Sequence, residues 1–145
     1  MYTKLSNEEI IPLFKIDFEL LLNAFYVEPD DQTSWVYYRW LLSECVKRYT
    51  AIHKIDECIE LIKEQFNQIN ELNQYELKEH NEHKKWLMLI LIQIHIVVNK
   101  LDSSISLLDN KTITDYIQWL KKVDAQRTGY YQYIQSNINE LSPIH

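Results

Sequence analysis

The stretch KIDECIELIKEQFNQINEL, residues 54–72, decides which class of fold the sequence can adopt. Its large apolar side chains recur at alternating intervals of four and three residues, at Ile55, Ile59, Ile62, Phe66 and Ile69. An α-helix makes one turn in about 3.6 residues, so this spacing places all of them on one face, whereas a half-buried strand would alternate every second residue. The stretch therefore predicts an amphipathic helix.

Composition supports the same class for the whole chain. The 145 residues contain one glycine and three prolines, and 46% of them are apolar. Hairpin-rich sandwiches and barrels need glycine at turns, and the Rossmann and P-loop motifs need clustered glycines, so these folds are excluded. The net charge of −6 argues against nucleic acid or an anionic membrane as the partner.

Helical spacing and capping residues predict six helices in an all-α, single-domain fold of stacked antiparallel hairpins spanning residues 1–145. Ser6 with Glu9 forms a capping-box pattern, and Asp31 and Asp124 are expected N-caps of later helices. A polar loop is expected over residues 73–83. The predicted helices cover residues 6–26, 32–49, 54–72, 82–101, 112–123 and 125–141.

Few residues suggest a metal or catalytic site. His80 and His83 lie three residues apart in a polar segment, but two ligands do not make a site, so we predict no metal. His95 falls in an almost wholly apolar helix and is interpreted as a core histidine. Cys45 and Cys58 are expected to be free thiols, which suit a reducing compartment such as the cytoplasm.

The aromatic segment WVYYRW, residues 35–40, is apolar nearly all round a helix and is expected to lie between neighbouring helices. We interpret Trp35 and Trp86 as packing residues between repeats. Tyr38, Arg39 and Trp40 are candidates for a partner surface. Arg39 is expected to contact an acidic group, either on a neighbouring helix or on a partner.

Three motifs in the same order resemble the protein prenyltransferase alpha-subunit family. PDDQTSWVYYRWLL, residues 29–42, resembles the late repeat N-D-Q-S-x-W-x-Y-H-R-W-L-L of Rab geranylgeranyltransferase (type II) alpha subunits. NEHKKWL, residues 81–87, resembles the following E-N-K-W-x-L stretch. LKKVDAQRTGY, residues 120–130, resembles the terminal L-K-x-V-D-P-x-R-x-x-Y, with Ala125 in place of proline. The resemblance covers about residues 17–135 and corresponds to the C-terminal half of such a subunit.

The resemblance implies a crescent of helical hairpins that wraps around a beta subunit. The beta subunit of that family holds the catalytic zinc and the geranylgeranyl diphosphate, and the Rab escort protein delivers the Rab GTPase to the later alpha-subunit helices. Gln32 stands where earlier family repeats place tyrosine, so we predict no catalytic residue and no cofactor in this chain. Arg127 and Tyr130, in the third motif, join the candidate interface residues.

Two alternatives stay open at this point. The chain is either a non-catalytic scaffold segment of such a subunit or a stand-alone helical-repeat adaptor for another protein. The first helix bears two apolar stripes on different sides, and only one of them can pack against the second helix. We therefore expect association through this helix, as a homodimer, with a missing repeat or with another partner. Its second stripe consists of Leu13, Ile16, Leu20 and Ala24.

Overall fold

The computed structural model describes residues 5–141, and every regular element in that part of the chain is helical. The predicted all-α fold is confirmed. A short 3₁₀ turn, Ala125–Arg127, separates the last two helices. The helices are α1 (Asn7–Val27), α2 (Gln32–Ala51), α3 (Ile55–His80), α4 (Lys85–Leu101), α5 (Asn110–Val123) and α6 (Thr128–Leu141).

Two of the predicted helix starts are confirmed by their side-chain caps. The backbone N–H of Glu9 donates to Ser6 Oγ at 3.3 Å, and the Glu9 carboxylate accepts from the Ser6 N–H in return. The Thr33 N–H donates to Asp31 Oδ1 at 2.9 Å at the start of α2. Each contact satisfies an N–H group that has no partner within its own helix.

The predicted loop over residues 73–83 is wrong for most of its length, because α3 continues to His80. The segment looked polar, yet Asn73 and Glu76 are buried against the rest of the domain together with Leu72. Tertiary packing therefore extends the helix past the point where its apolar pattern fades. Asn81 ends it in a left-handed conformation, a common helix terminator.

The predicted cap of the last helix is also wrong. Asp124 makes no side-chain capping bond to the backbone, and α6 begins only at Thr128, after the 3₁₀ turn. The Asp124 carboxylate instead bonds the side chains of Arg127 and Tyr131. These side-chain hydrogen bonds take the place of a capping bond to the backbone.

The helices stack as three hairpins, α1 with α2, α3 with α4 and α5 with α6. α2 contacts α4, and α4 contacts α6, so the second helices of the hairpins form one layer, while α1 contacts α3 behind it. α4 lies at the centre, and its residues 86–92 are buried without a break. No helix in the described part of the chain is long and apolar enough to cross a bilayer.

Candidate protein-docking face

Trp35 of α2 and Trp86 of α4 lie against each other where the first two hairpins meet. Their ring centroids are 5.0 Å apart with an interplanar angle of 32°, and both side chains are buried. The Trp86 Nε1–H also donates to the Asp30 carbonyl oxygen at 3.1 Å. This pair fixes the register of α4 against the start of α2, so the two tryptophans predicted to pack between repeats are in direct contact.

Guanidinium groups lie over both members of this tryptophan pair. Arg39 Cζ is 4.8 Å from the Trp35 ring centroid, and Arg127 Cζ is 5.1 Å from that of Trp86. We call the row Arg39, Trp35, Trp86 and Arg127 the cation–aromatic ladder. It runs across the layer of α2, α4 and α6, because Arg127 lies just before α6. Cation–π contacts of this kind contribute about 0.5–1 kcal/mol each at exposed sites.

The Asp124 carboxylate holds Arg127 in place at the end of the ladder. Arg127 Nη1 donates to both carboxylate oxygens, at 3.1 and 2.9 Å, and the Tyr131 hydroxyl donates at 2.6 Å. Burial raises the pKa of the Asp124 carboxyl, but these hydrogen bonds and the charges of Lys85 and Arg127 outweigh burial, so its pKa lies below the usual value. Asp124 is therefore an anion that orients Arg127.

A groove of about 650 Å³ lies between α2 and α4 beside the ladder. Its floor is mainly apolar, and its lining residues, all within the described part of the chain, include two cations and no carboxylate. This is unusual on a chain of net charge −6. The lining residues are Val36, Arg39, Trp40, Leu42, Ser43, Val46, Gln93, Val97, Lys100 and Leu101.

The predicted interface residues Trp40 and Tyr130 both lie at this groove or next to it. Trp40 is 40% exposed, and its ring packs at a tilt against that of Tyr37, with ring centroids 5.5 Å apart. Tyr130 of α6 accepts a hydrogen bond of 2.7 Å at its hydroxyl from Gln93 Nε2, which lines the groove. An exposed tryptophan, an arginine and a tyrosine on one face are the residue types enriched at protein–protein interfaces.

Tyr38 does not belong to this face, contrary to the sequence-based interpretation. It is fully buried between Phe18 and Phe25 of α1, at ring-centroid distances of 5.2 and 6.1 Å. Its hydroxyl lies 3.5 Å from Gln65 Oε1, a long hydrogen bond, and burial raises its pKa well above the ordinary value. Helical periodicity along residues 35–40 could not show that α1 covers Tyr38.

Arg39 is exposed, and within residues 5–136 it makes no ion pair shorter than 4.0 Å. The acidic contact expected on a neighbouring helix is therefore not found there. The Trp35 ring supports one face of the guanidinium, and its N–H donors remain available to an acceptor from outside the domain.

His80, His83 and His95 each contact other residues of the fold. His80 lies 3.5 Å from the Glu76 carboxylate, while His83 packs against Trp119 with ring centroids 5.5 Å apart. His95 is buried, as expected of a core histidine, and its Nδ1 accepts from the Leu108 N–H at 3.3 Å. Among the described residues no three His, Cys, Asp or Glu side chains are arranged to hold a metal ion.

The second apolar stripe of α1 is covered unevenly. Leu13 and Ala24 are half-buried, and Leu13 packs against the core. Ile16 and Leu20 are 52% and 62% exposed. The part of the chain that the structure describes therefore leaves the middle of this stripe in solvent.

Sequence reasoning missed Gln93, Val97 and Lys100 as groove residues. Their spacing of four and three places them on one face of α4, a signal that is visible in the sequence. Only the pairing of α2 with α4 brings that face next to Arg39, and no local pattern predicts that pairing.

The fold and this face define a helical-hairpin repeat protein with an exposed groove along one layer. The chain is similar to the geranylgeranyl transferase type-2 subunit alpha of Dictyostelium discoideum, with 27% identity over 131 residues, which cover 90% of this chain and 37% of the relative. It is also similar to the subunit of the same name from Schizosaccharomyces pombe, with 26% identity over 131 residues. This alignment covers 87% of this chain and 37% of the relative.

These matches confirm the resemblance to the protein prenyltransferase alpha-subunit family. The chain spans little more than a third of the length of the curated relatives it matches, at 37% of each. No protein-family model matches it, and no solved structure matches it significantly.

Proposed function

We propose that the chain acts as a non-catalytic scaffold segment of a Rab geranylgeranyltransferase alpha subunit, and that the groove between α2 and α4 docks the Rab escort protein. The similarity to type-2 alpha subunits supports the family. The observation on which the docking proposal rests is the groove itself, in which two cations border an apolar floor. A beta subunit that holds zinc and geranylgeranyl diphosphate is the second partner.

The shape and chemistry of the groove favour a protein over a small molecule. It is an open trough along two helices, and a trough of this kind suits an inserted helix or loop with apolar side chains. Trp40 and Arg39 are of the types that dominate binding free energy at interfaces. Tyr130 and Arg127 extend the same face to α6.

Charge contributes specificity at this groove. The chain is acidic overall, with 21 acidic against 15 basic residues. Charges beyond about 8 Å are screened at physiological salt, so a docked segment senses mainly the nearest groups, Arg39 and Lys100. We therefore infer that the docked segment of the escort protein is apolar with acidic side chains at its margins.

The test measures binding of the purified chain, together with a Rab geranylgeranyltransferase beta subunit, to the Rab escort protein by calorimetry. Combined Arg39→Glu and Lys100→Glu substitutions are expected to weaken binding by more than about tenfold, which corresponds to about 1.4 kcal/mol. Trp40→Ala is expected to act in the same direction. The matched control is Lys78→Glu combined with Lys111→Glu, which makes the same two charge reversals at exposed positions of α3 and α5, outside the groove. Equal effects of the groove variants and the control would refute docking in the groove.

The rival function is a stand-alone adaptor for a different protein. Co-purification of the beta subunit with the chain favours the alpha-subunit role. A stable chain that captures neither the beta subunit nor the escort protein would overturn the proposed function in favour of the adaptor.

A further inference from the structure

The acidic and basic residues of the chain are divided between its two layers of helices. α1 and α3 together contain eleven acidic and three basic residues, a net charge of −8 at neutral pH. α2 and α4, the two helices that form the groove, contain one acidic and five basic residues, a net charge of +4. Every copy of the chain therefore carries an acidic layer, α1 with α3, and a basic layer, α2 with α4.

A stripe of apolar side chains is exposed on the acidic layer. Ile16, Leu20 and Val27 of α1 are each more than half exposed. Their spacing of four and seven residues places them on one face of the helix, and we call these three residues the α1 stripe. Glu19 is exposed beside it, and Glu28 is exposed just beyond the last turn. The α1 stripe is therefore an apolar surface with carboxylates at its margins.

α1 has one basic residue, Lys15, and its charge is offset by neighbouring side chains. Lys15 lines a hollow between α1 and α3, in which Lys63 is the other cation. Glu60 and Glu64 line the same hollow, so its two positive and two negative charges balance. The hollow therefore leaves the acidic character of the α1 margins unchanged.

The α1 stripe and the groove match in length and in chemistry. Along α2 the groove extends from Val36 to Val46, and the α1 stripe extends from Ile16 to Val27. A helix rises about 1.5 Å per residue, so both surfaces are about 15–17 Å long. Apolar side chains repeated at helical spacing are the means by which a helix binds in an apolar groove.

The charges of the two surfaces are complementary. Arg39 and Lys100 border the groove, and the lining residues that the structure describes include no carboxylate. The Arg39 guanidinium has donors available to an acceptor from outside the domain, and Glu19 and Glu28 at the margins of the α1 stripe are such acceptors. Two acidic α1 surfaces repel each other, and so do two basic grooves, so charge favours contact between unlike surfaces.

We propose that α1 of one copy of the chain docks in the groove between α2 and α4 of a second copy. The contact joins two different surfaces, so an open pair keeps one unused groove and one unused α1 stripe, and further copies can add head to tail. Self-association occupies the groove that we assign to the Rab escort protein, so the two kinds of binding exclude each other. The proposal depends on the chemistry of the groove and not on the identity of its other partner.

Sedimentation velocity with two complementary variants tests this arrangement. The α1 variant, Ile16→Glu with Leu20→Glu, keeps the groove intact. The groove variant, Arg39→Glu with Lys100→Glu, keeps the α1 stripe intact. The wild type is expected to associate at high micromolar concentration, while each variant alone is expected to stay monomeric, because each weakens the contact by more than about tenfold. Circular dichroism establishes that both variants are folded.

The decisive sample is an equimolar mixture of the two variants. The intact α1 stripe of the groove variant can dock in the intact groove of the α1 variant, and both remaining surfaces are altered. The mixture is therefore expected to form a one-to-one dimer that does not grow with concentration. A mixture that stays monomeric would overturn the proposal, as would a monomeric wild type. A groove variant that associates by itself would overturn it in favour of a symmetric contact between α1 helices.

Matched controls change residues outside both surfaces. Lys78→Glu with Lys111→Glu repeats the two charge reversals, and Tyr75→Glu with Val123→Glu repeats the replacement of two exposed apolar residues by glutamate. Both controls are expected to associate like the wild type, and a control that abolishes association would contradict the assignment of the surfaces.

The dependence on salt tests the charge pairing with the wild type alone. An increase from about 0.05 M to about 0.5 M sodium chloride is expected to weaken its association, because salt screens exposed charges. Association that does not weaken would contradict the charge pairing. None of these samples contains the Rab escort protein or the beta subunit, so a failure here is distinct from a failure of the proposed function.

Discussion

Replacement of Asp124 by asparagine tests the anchor of the cation–aromatic ladder. In the folded chain the carboxylate accepts two hydrogen bonds from Arg127 Nη1 and one of 2.6 Å from the Tyr131 hydroxyl. Asp124→Asn keeps the size of the side chain but removes its charge. The asparagine oxygen can still accept from Tyr131, while the ion pair with Arg127 is lost.

The expected loss follows from these contacts. A hydrogen bond to a charged group contributes about 1.5–3 kcal/mol to stability, and a neutral one about 0.5–1.5 kcal/mol. Arg127 is partly exposed, so solvent screening reduces the value of its ion pair. We therefore expect Asp124→Asn to lower the free energy of unfolding by about 1–2 kcal/mol, which is roughly 2–8 °C in melting temperature for a domain of this size.

The effect has a defined pH dependence. The pKa of Asp124 is lower in the folded chain than its ordinary value, so its stabilising contribution is complete above the ordinary aspartate pKa of about 3.9. The contribution is lost as the pH falls through the lower pKa of the folded state. The difference between wild type and Asp124→Asn is therefore expected to be constant from neutral pH to about pH 5 and to shrink below about pH 4.

The assay is urea unfolding followed by circular dichroism at a series of pH values. Asp115→Asn, at an exposed position on α5, is the matched control and is expected to change stability by less than about 0.5 kcal/mol. An Asp124→Asn chain as stable as wild type at pH 7 would refute the anchoring role. A stability difference that stays the same at pH 3 would refute its charged character.

Three further predictions concern other parts of the fold. Gly129→Ala is expected to raise the free energy of unfolding by up to about 1 kcal/mol, because a Cβ there meets nothing within 4 Å and alanine favours helix; a loss of stability in chemical unfolding would contradict this. Burial lowers the pKa of His95, so the free energy of unfolding is expected to fall as the pH drops below the ordinary histidine pKa of about 6.5. The slope of stability against pH is expected to be smaller in His95→Asn. Equal slopes in the variant and the wild type would contradict this prediction. The wild-type chain is expected to associate through the exposed Ile16 and Leu20 of α1, and combined Ile16→Glu and Leu20→Glu substitutions are expected to give a folded monomer. Light scattering that finds the wild type monomeric at high micromolar concentration would contradict this prediction.

The helices were predictable because their physical signals are local. The four-three spacing from Ile55 to Ile69, the Ser6 capping box and the Asp31 cap each depend on residues within one or two turns. The extension of α3 to His80 was not predictable in the same way, because it depends on burial of Asn73 and Glu76 by other helices.

The candidate site was predictable only in its residue types. The motifs singled out Trp35, Trp86, Arg39 and Arg127, and the structure brings them into one ladder. Periodicity along α2 could not separate buried Tyr38 from exposed Arg39, because that depends on where α1 packs. Lys100 could not be predicted as a groove residue, because only the pairing of α2 with α4 brings it to the same groove as Arg39.

Hydrogen–deuterium exchange of the chain, free and bound to the Rab escort protein, tests the docking proposal most directly. The residues that line the groove lie within segments 36–46 of α2 and 93–101 of α4, and we expect amide exchange in these segments to slow on binding. The exposed side of α3 lies outside the proposed contact and is expected to exchange at the same rate in both states. Protection confined to α3 or α1, with the α2 and α4 segments unchanged, would contradict docking in the groove.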